Sequence, residues 1–256
     1  MFVECVTPGG RSIAKKIASA MAQGVKAAGD RSVITGLASG KADVAICYGW
    51  KYRNRYQAGR FVYVDLGYWD RDNYYRCVVN GWGPESYLRQ GLPSTRFERL
   101  GVEVKPWKTG EEIIIAGGTM KAARDQSVAY QHWEETMAAK LKPLGFPLRY
   151  RPKPKDEDAP SIRHAYTDRR PLAESLEAAH VWVTHRSNTA VEAIAAGVPT
   201  YCEAGAGAAF SIPFDRISDP PLLEGREQFL SDVAWLQWTL DEMRSGECWR
   251  HLRKLV

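Results

Sequence analysis

The stretch that most constrains this chain is residues 180–202, HVWVTHRSNTAVEAIAAGVPTYC. His180 to Thr184 is a short run of β-branched and aromatic residues, which predicts a buried strand. His185, Arg186 and Ser187 form the following turn, and either Ser187 or Asn188 supplies an N-cap. The segment AVEAIAA is strongly helix-forming, Gly197 ends it, and Val198 to Cys202 opens the next strand. A β-α-β unit of this kind belongs to a parallel α/β sheet. Its turn sets hydroxyl and amide groups at a helix N-terminus, where an anion is favoured by backbone N–H groups and the helix dipole. Glu192 stands one turn past the cap, among Ala190, Ala193, Ala195 and Ala196. A carboxylate there is either a solvated surface group or an acceptor for a ribose diol.

A length of 256 residues suffices for one large α/β domain or two small ones. No apolar run approaches 18 residues, so no membrane span is expected. The start, MFVECV, reads as a first strand rather than a signal peptide. Five scattered cysteines without a C-x-x-C pair, and histidines that do not cluster with them, predict neither a zinc site nor a disulfide framework. That usage suits a reducing cytoplasm, with Cys5, Cys47, Cys77 and Cys202 packed in the core. The net charge of +5 is compatible with a nucleic acid or phosphorylated ligand and demands neither.

Along the first half, strands are expected at 2–6, 43–48, 61–66 and 74–80, with a helix over Ser12–Ala28. The turn at Pro8-Gly9-Gly10 suits a tight loop better than a phosphate cradle. Two loops, GWKYRNRYQAG and LGYWDRDNYYR, interleave aromatics with arginine. They either stack on bases and pair with phosphates, or pack their rings under long basic stems. Both follow consecutive strands, so a parallel sheet places them on its ligand-binding edge. On the first option Lys51, Arg53, Arg55, Arg60 and Arg71 hold DNA phosphates while Tyr52, Tyr56 or Trp69 stack.

Residues 81–111 are rich in Gly, Pro and charge, which places a domain boundary near 110 and gives domains 1–110 and 111–256. EEIIIA then reads as a strand, followed by the turn Gly117-Gly118-Thr119 and a helix over Met120–Leu141. Leu148 to Arg151 is a short strand ending in RPKPK, a turn that is either a phosphate contact or an ordinary basic loop. Lys155 to Asp168 is expected as a loop, Pro171 to Ala179 as a helix, Ile212 to Pro221 as irregular chain, and Leu223 to Met243 as one long helix.

The order S-x-x-x-x-E-A-x-x-x-G-x-P, carried by Ser187, Glu192, Ala193, Gly197 and Pro199, resembles the donor-nucleotide motif of GT-B glycosyltransferases. The resemblance implies two Rossmann-like halves with parallel sheets, a C-terminal helix crossing back to the first half, and no bound metal or tight cofactor. It implies a nucleotide-sugar donor, with UDP-sugars the first expectation, held by Gly117, Gly118, Thr119, Arg151, Lys153, His185, Ser187, Asn188, Thr189 and Glu192. The RPKP turn is similar to the R-P-H-P turn of bacterial capsule and teichoic-acid polymer transferases. Lys153 stands where those have histidine, which keeps the cation and loses a titratable acid.

The combined order YVDLGYWDR, YRPKP, SNTAVEAIAAGVP and WLQWTLDEMRSG resembles small proteins of tailed phages. That resemblance implies a phage setting, a host cytoplasm, and an acceptor such as a hydroxymethylated pyrimidine in double-stranded DNA, flipped out of the stack. Sugar transfer needs a base, and Asp65 is the first choice because it ends a strand, with Asp70 second and Asp72 beside it. A non-catalytic nucleotide-sugar binder and an epimerase are the competing readings. No Ser-His-Asp order or Walker motif directs the chain to hydrolase or P-loop chemistry.

Overall fold

The computed structural model describes residues 1–7, 12–49, 60–81, 91–120, 123 and 129–256. The chain divides into two units, Met1–Pro84 with Val233–Val256, and Glu85–Asp232. The break expected near residue 110 thus differs from the observed division, and the C-terminal segment belongs to the first unit.

The second unit is built on EIIIA, strand β6 (Glu112–Ala116), whose last four residues are buried. It pairs in parallel with β7 (Leu148–Arg151) on one side and β9 (Ala179–Thr184) on the other. With β8 (Tyr166–Thr167) and β10 (Thr200–Cys202) the sheet runs β10-β9-β6-β7-β8. A strand buried on both faces reads as a continuous apolar run, because helices cover both sides. Ile113 and Ile115 pack with Met137, Ala138 and Leu141 of helix α3 (His132–Leu141), which follows the short helix α2 (Thr95–Leu100) in the chain. Ile114 and Ala116 face Leu176 of α4 (Leu172–Ala178) and Ala193 of α5 (Thr189–Ala195). Alternation along one strand therefore fixes which helix lies on which face. Gly197 ends the α5 segment at φ 78°, and an added Cβ would come 2.0 Å from the Pro106 carbonyl oxygen.

The first unit's sheet runs β11-β5-β4-β3-β1-β2. Strands β1 (Phe2–Val6), β2 (Arg31–Thr35), β3 (Val44–Tyr48) and β4 (Phe61–Leu66) are parallel neighbours. β5 (Tyr74–Val79) turns antiparallel to β4, and β11 (Gln237–Thr239) pairs antiparallel with β5. This half is therefore mixed rather than parallel throughout. β2 is an edge strand with Val33 and Ile34 exposed, so it lacks the buried alternation by which a strand is read. All five cysteines are free and buried.

Three sequence expectations change. The helix expected over Leu223–Met243 is broken into α6 (Arg226–Ala234), β11 and α7 (Leu240–Arg244), followed by α8 (Glu247–Leu252). Tertiary partners override helical periodicity here. Trp238 is fully buried, Gln237 accepts hydrogen bonds from the amides of Tyr68 and Trp69, and Thr239 with Glu242 forms a capping box that starts α7. The helix expected from Met120 does not run unbroken to Leu141, because Gln131 sits at φ 64° immediately before α3. Its side-chain amide donates to the Tyr150 hydroxyl and to the Pro160 carbonyl. The loop expected over 155–168 contains β8. Among the described residues no helix is long and apolar enough to cross a membrane.

Helix α1 (Ser12–Ala27) packs on α7 at Gly24, where a Cβ would fall 1.8 Å from the Met243 carbonyl oxygen. In a free helix Gly→Ala stabilises by about 1 kcal/mol. Here Gly24→Ala is expected to destabilise by roughly 1–3 kcal/mol, as overpacking does. Denaturant unfolding measures the sign, and a stabilised variant would contradict this packing.

Candidate functional site

Numbered by order within the second unit, its strands run 5-4-1-2-3, the doubly wound arrangement whose direction reverses between the first strand, β6, and the fourth, β9. Ligands in such sheets bind outside the carboxyl ends of the strands at that reversal. The turns leaving β6 and β9 there are Gly117-Gly118-Thr119 and His185–Asn188.

Gly117 is required by packing. A Cβ would lie 2.8 Å from the Tyr150 ring, while the Gly117 amide donates to the Arg151 carbonyl. The Gly118 amide donates to Oε1 of Glu134 at 2.7 Å. Glu134 is buried, so a protein carboxylate already holds one N–H that the sequence assigned to a donor phosphate.

The RPKP turn and the serine turn meet. The Lys153 ammonium donates to Oγ of Ser187, across 34 residues of sequence. Arg151 is anchored by Nη1, which donates to the Arg170 carbonyl and to Oγ of Ser175. Burial lowers the Arg151 pKa, Asp168 opposes that, Arg170 adds to it, and Glu192 opposes it again. Glu192 is thus close enough to act on Arg151, and it is half-buried on α5.

The serine turn satisfies most of its own amides. Ser187 N donates to Oγ1 of Thr184 at 3.3 Å, and Thr189 N to Oγ of Ser187 at 3.3 Å. Ala190 N and Val191 N bond to the carbonyls of Ser187 and Asn188. Ser187, rather than Asn188, supplies the capping oxygen. Thr189 accepts from the Trp182 indole at 3.2 Å. The capacity of this turn for an anion consequently lies in cationic side chains more than in backbone amides.

Several neighbouring groups carry no motif. His185 stacks on Trp133 with centroids 5.6 Å apart, and the Trp133 indole and the Tyr201 hydroxyl both donate to Glu203. Burial lowers the His185 pKa, Arg186 lowers it further, and Glu203 and Glu134 oppose them. Trp133, Glu134 and Glu203 lie far from the serine motif in sequence. No local sequence signal singles them out, because strand order rather than spacing brings them to this edge.

In the first unit, Asp65 ends β4 but is engaged. It accepts from the Tyr63 hydroxyl and the Leu66 amide, and lies 3.6 Å from Arg76, with 34% of its side chain exposed. Arg76 is buried with the rings of Tyr63 and Tyr68 at 5.5 and 5.8 Å. Asp70 is a turn residue at φ 43° whose carboxylate accepts from the Asn73 amide group. Asp72 is exposed in that turn. Trp69 is buried at 8% exposure, so its ring packs inside rather than standing open to a base. Arg71 turns back to the Gly67 carbonyl, and Arg60 is exposed. Lys51, Tyr52, Arg53, Arg55 and Tyr56 lie outside the described residues.

The His185 geometry carries a pH prediction. Its midpoint should fall below the usual value near 6.5. The folded state then binds fewer protons than the unfolded one, so this stability is fully present above the unfolded value and is lost as pH falls to the folded pKa. Proton NMR of the ring is expected to show the low midpoint, and Arg186→Gln should raise it. An unmoved midpoint in that variant would remove Arg186 from the account.

No protein-family model and no curated protein matches the chain. Two solved structures that it resembles are of KpsC from Thermosulfurimonas dismutans. The match to the β-Kdo 2,7 transferase has 12% identity and a TM-score of 0.58, covering 98% of this chain and 99% of the other. The match to the β-Kdo 2,4 transferase has 13% identity and a TM-score of 0.54, covering 91% and 90%. The chain therefore has a GT-B-like, Rossmann-type α/β fold, similar to that of these two transferases.

Proposed function

We propose that the chain is a glycosyltransferase that moves a sugar from a nucleotide-sugar donor to an acceptor hydroxyl. The observation that carries this reading is the Lys153–Ser187 contact at the strand-order reversal of the second sheet, with Arg151 and Glu192 beside it. A departing diphosphate needs cations already in place. The Lys153 ammonium is a cation in contact with the Ser187 hydroxyl, and a phosphate oxygen can replace that neutral acceptor with a charged one. Glu192 is proposed to accept from the ribose hydroxyls, with the Gly117–Thr119 turn closing the other side. The fold likeness to two Kdo transferases supports transfer chemistry.

Asp65 remains the first choice for the base and Asp70 the second. Each carboxylate already accepts hydrogen bonds, Asp65 from Tyr63 and Asp70 from Asn73, and keeps lone pairs for a proton. The DNA acceptor rests on loop composition. Buried Trp69 and the turned-back Arg71 give it no support, so hydroxymethylated DNA enters as one arm of the assay.

The test is a thermal-shift screen with UDP-, GDP-, CMP- and ADP-linked sugars. A ligand at a hundredfold excess over Kd stabilises the native state by about 2.7 kcal/mol. One nucleotide family is expected to raise Tm, with Lys153→Ala and Glu192→Ala each weakening binding roughly tenfold, the scale of a lost charged hydrogen bond. Asp65→Asn should keep that shift and lose turnover. Protection of the donor without consumption would make the protein a binder, and no shift with any family would end the donor-site reading.

A further inference from the structure

In the first unit's sheet β2 (Arg31–Thr35) is an edge, with β1 as its neighbour on one side. The Arg31 amide donates to the Met1 carbonyl and the Thr35 carbonyl accepts from the Thr7 amide, so residues 31, 33 and 35 turn their backbone groups to β1. Alternate residues of a parallel ladder face the other way, which points the N–H and C=O of Ser32 and Ile34 out of the sheet. Natural edges are blunted by proline, lysine, a bulge or a covering segment. β2 contains neither proline nor lysine, and its register with β1 runs without a shift. Arg31, the one charge in the strand, stands at its first position, 5.8 Å from the Phe2 ring centroid. Val33 and Ile34 are 42% and 50% exposed, and Leu37 in the next turn is 53% exposed. The Thr35 hydroxyl fixes that turn by donating to the Leu37 carbonyl at 2.8 Å.

The border of this edge is one-signed. Between Glu4 and Asp43 the sequence carries Arg11, Lys15, Lys16, Lys26, Arg31 and Lys41 against a single acid, Asp30. Asp30 is already committed, accepting from the N-terminal ammonium and from the Trp249 indole at 2.8 Å, with Arg253 at 3.7 Å. Lys15, Ser19, Ala22 and Lys26 follow one another on α1 at four-, three- and four-residue spacing, so they share one helix face. The Ala22 carbonyl accepts from Oγ of Ser32 at 2.7 Å, which places that face beside β2. Lys15, Lys26 and Arg31 are exposed and form no ion pair among the described residues.

Outward backbone groups are matched by another extended chain, since strand addition supplies a donor and an acceptor at the required spacing. The exposed valine and isoleucine favour apolar side chains on that chain, and the cationic border favours carboxylates. A second copy would set two cationic borders against each other. The few exposed apolar side chains are also small beside the roughly 800 Å² per partner that a stable dimer covers. We infer that the β2 edge docks an extended acidic peptide segment of a partner protein. The segment pairs with Ser32 and Ile34, rests its apolar side chains on Val33 and Ile34, and directs its carboxylates to Lys15, Lys26 and Arg31. This surface belongs to the first unit and the donor-site residues to the second, so neither reading depends on the other.

The experiment is amide hydrogen exchange by NMR on the full chain, with capped heptapeptides alternating glutamate and valine, their lysine–valine counterparts, and an acidic version with proline at its centre. The acidic peptide is expected to slow exchange at Ser32 and Ile34 roughly tenfold, as newly paired amides require. The proline version should lose most of that effect, because proline removes a ladder donor. Ile34→Lys puts a gatekeeper charge at a half-exposed position and should weaken the acidic peptide about tenfold. Lys15→Glu with Lys26→Glu should weaken it roughly threefold and flatten its salt dependence. An unchanged Tm in both variants separates loss of docking from loss of fold. No slowing of either amide at millimolar acidic peptide overturns the inference, as does equal binding of the lysine peptide or undiminished binding in both variants. Protection of the two amides by protein concentration alone, or by phosphatidylserine vesicles but not by the peptide, also overturns it and gives the edge to a second copy or to a membrane surface.

Discussion

Burial of one strand on both faces is the constraint on which the second unit depends. Ile113, Ile114 and Ile115 are fully buried, and they alternate between two separate helical layers. An isoleucine side chain fully removed from water contributes about 1.5–3 kcal/mol. That gain is available only if α3 lies on one side and α4 with α5 on the other. Covering both faces with crossover helices forces parallel strands, and parallel strands gather their carboxyl ends at one edge. The location of the candidate site follows from this packing rather than from any polar residue in it.

At that edge the polar groups are largely held by one another. Lys153 rests on Ser187, Arg151 on Ser175 and the Arg170 carbonyl, and Gly118 on Glu134. Such preorganisation limits the reorganisation a bound ligand would require. It also mixes signs, because Glu134, Glu192 and Glu203 stand among Arg151, Lys153 and Arg186. The acids keep the cations from forming a uniformly attractive surface. A ligand carrying both a phosphate and a hydroxyl-bearing ring matches that mixture better than an extended polyanion does.

The sequence was legible where local chemistry and tertiary environment agreed. HVWVT is a strand, TAVEAIA a helix and Gly197 its stop, because propensity, capping and burial all favour the same outcome. It was illegible where a partner distant in sequence decided. WLQWTL has helical spacing, but the antiparallel edge of β5 and the Gln237 contacts to Tyr68 and Trp69 make it a strand. Trp69 reads as an exposed stacking platform among arginines and tyrosines, yet it is buried. Composition does not say which side of a loop faces inward.

By itself the sequence determined the α/β class and the β-α-β unit at 180–202. These depend on periodicity and capping within about twenty residues, and such interactions are local. Tertiary structure alone decided that Lys153 meets Ser187, that Glu134 occupies the Gly118 amide, and that Val233–Val256 joins the first unit. Strand order sets those neighbours, and strand order is a property of how faces are covered across the whole sheet. No window of the chain contains that information, because the burial that selects it is shared among segments far apart in sequence.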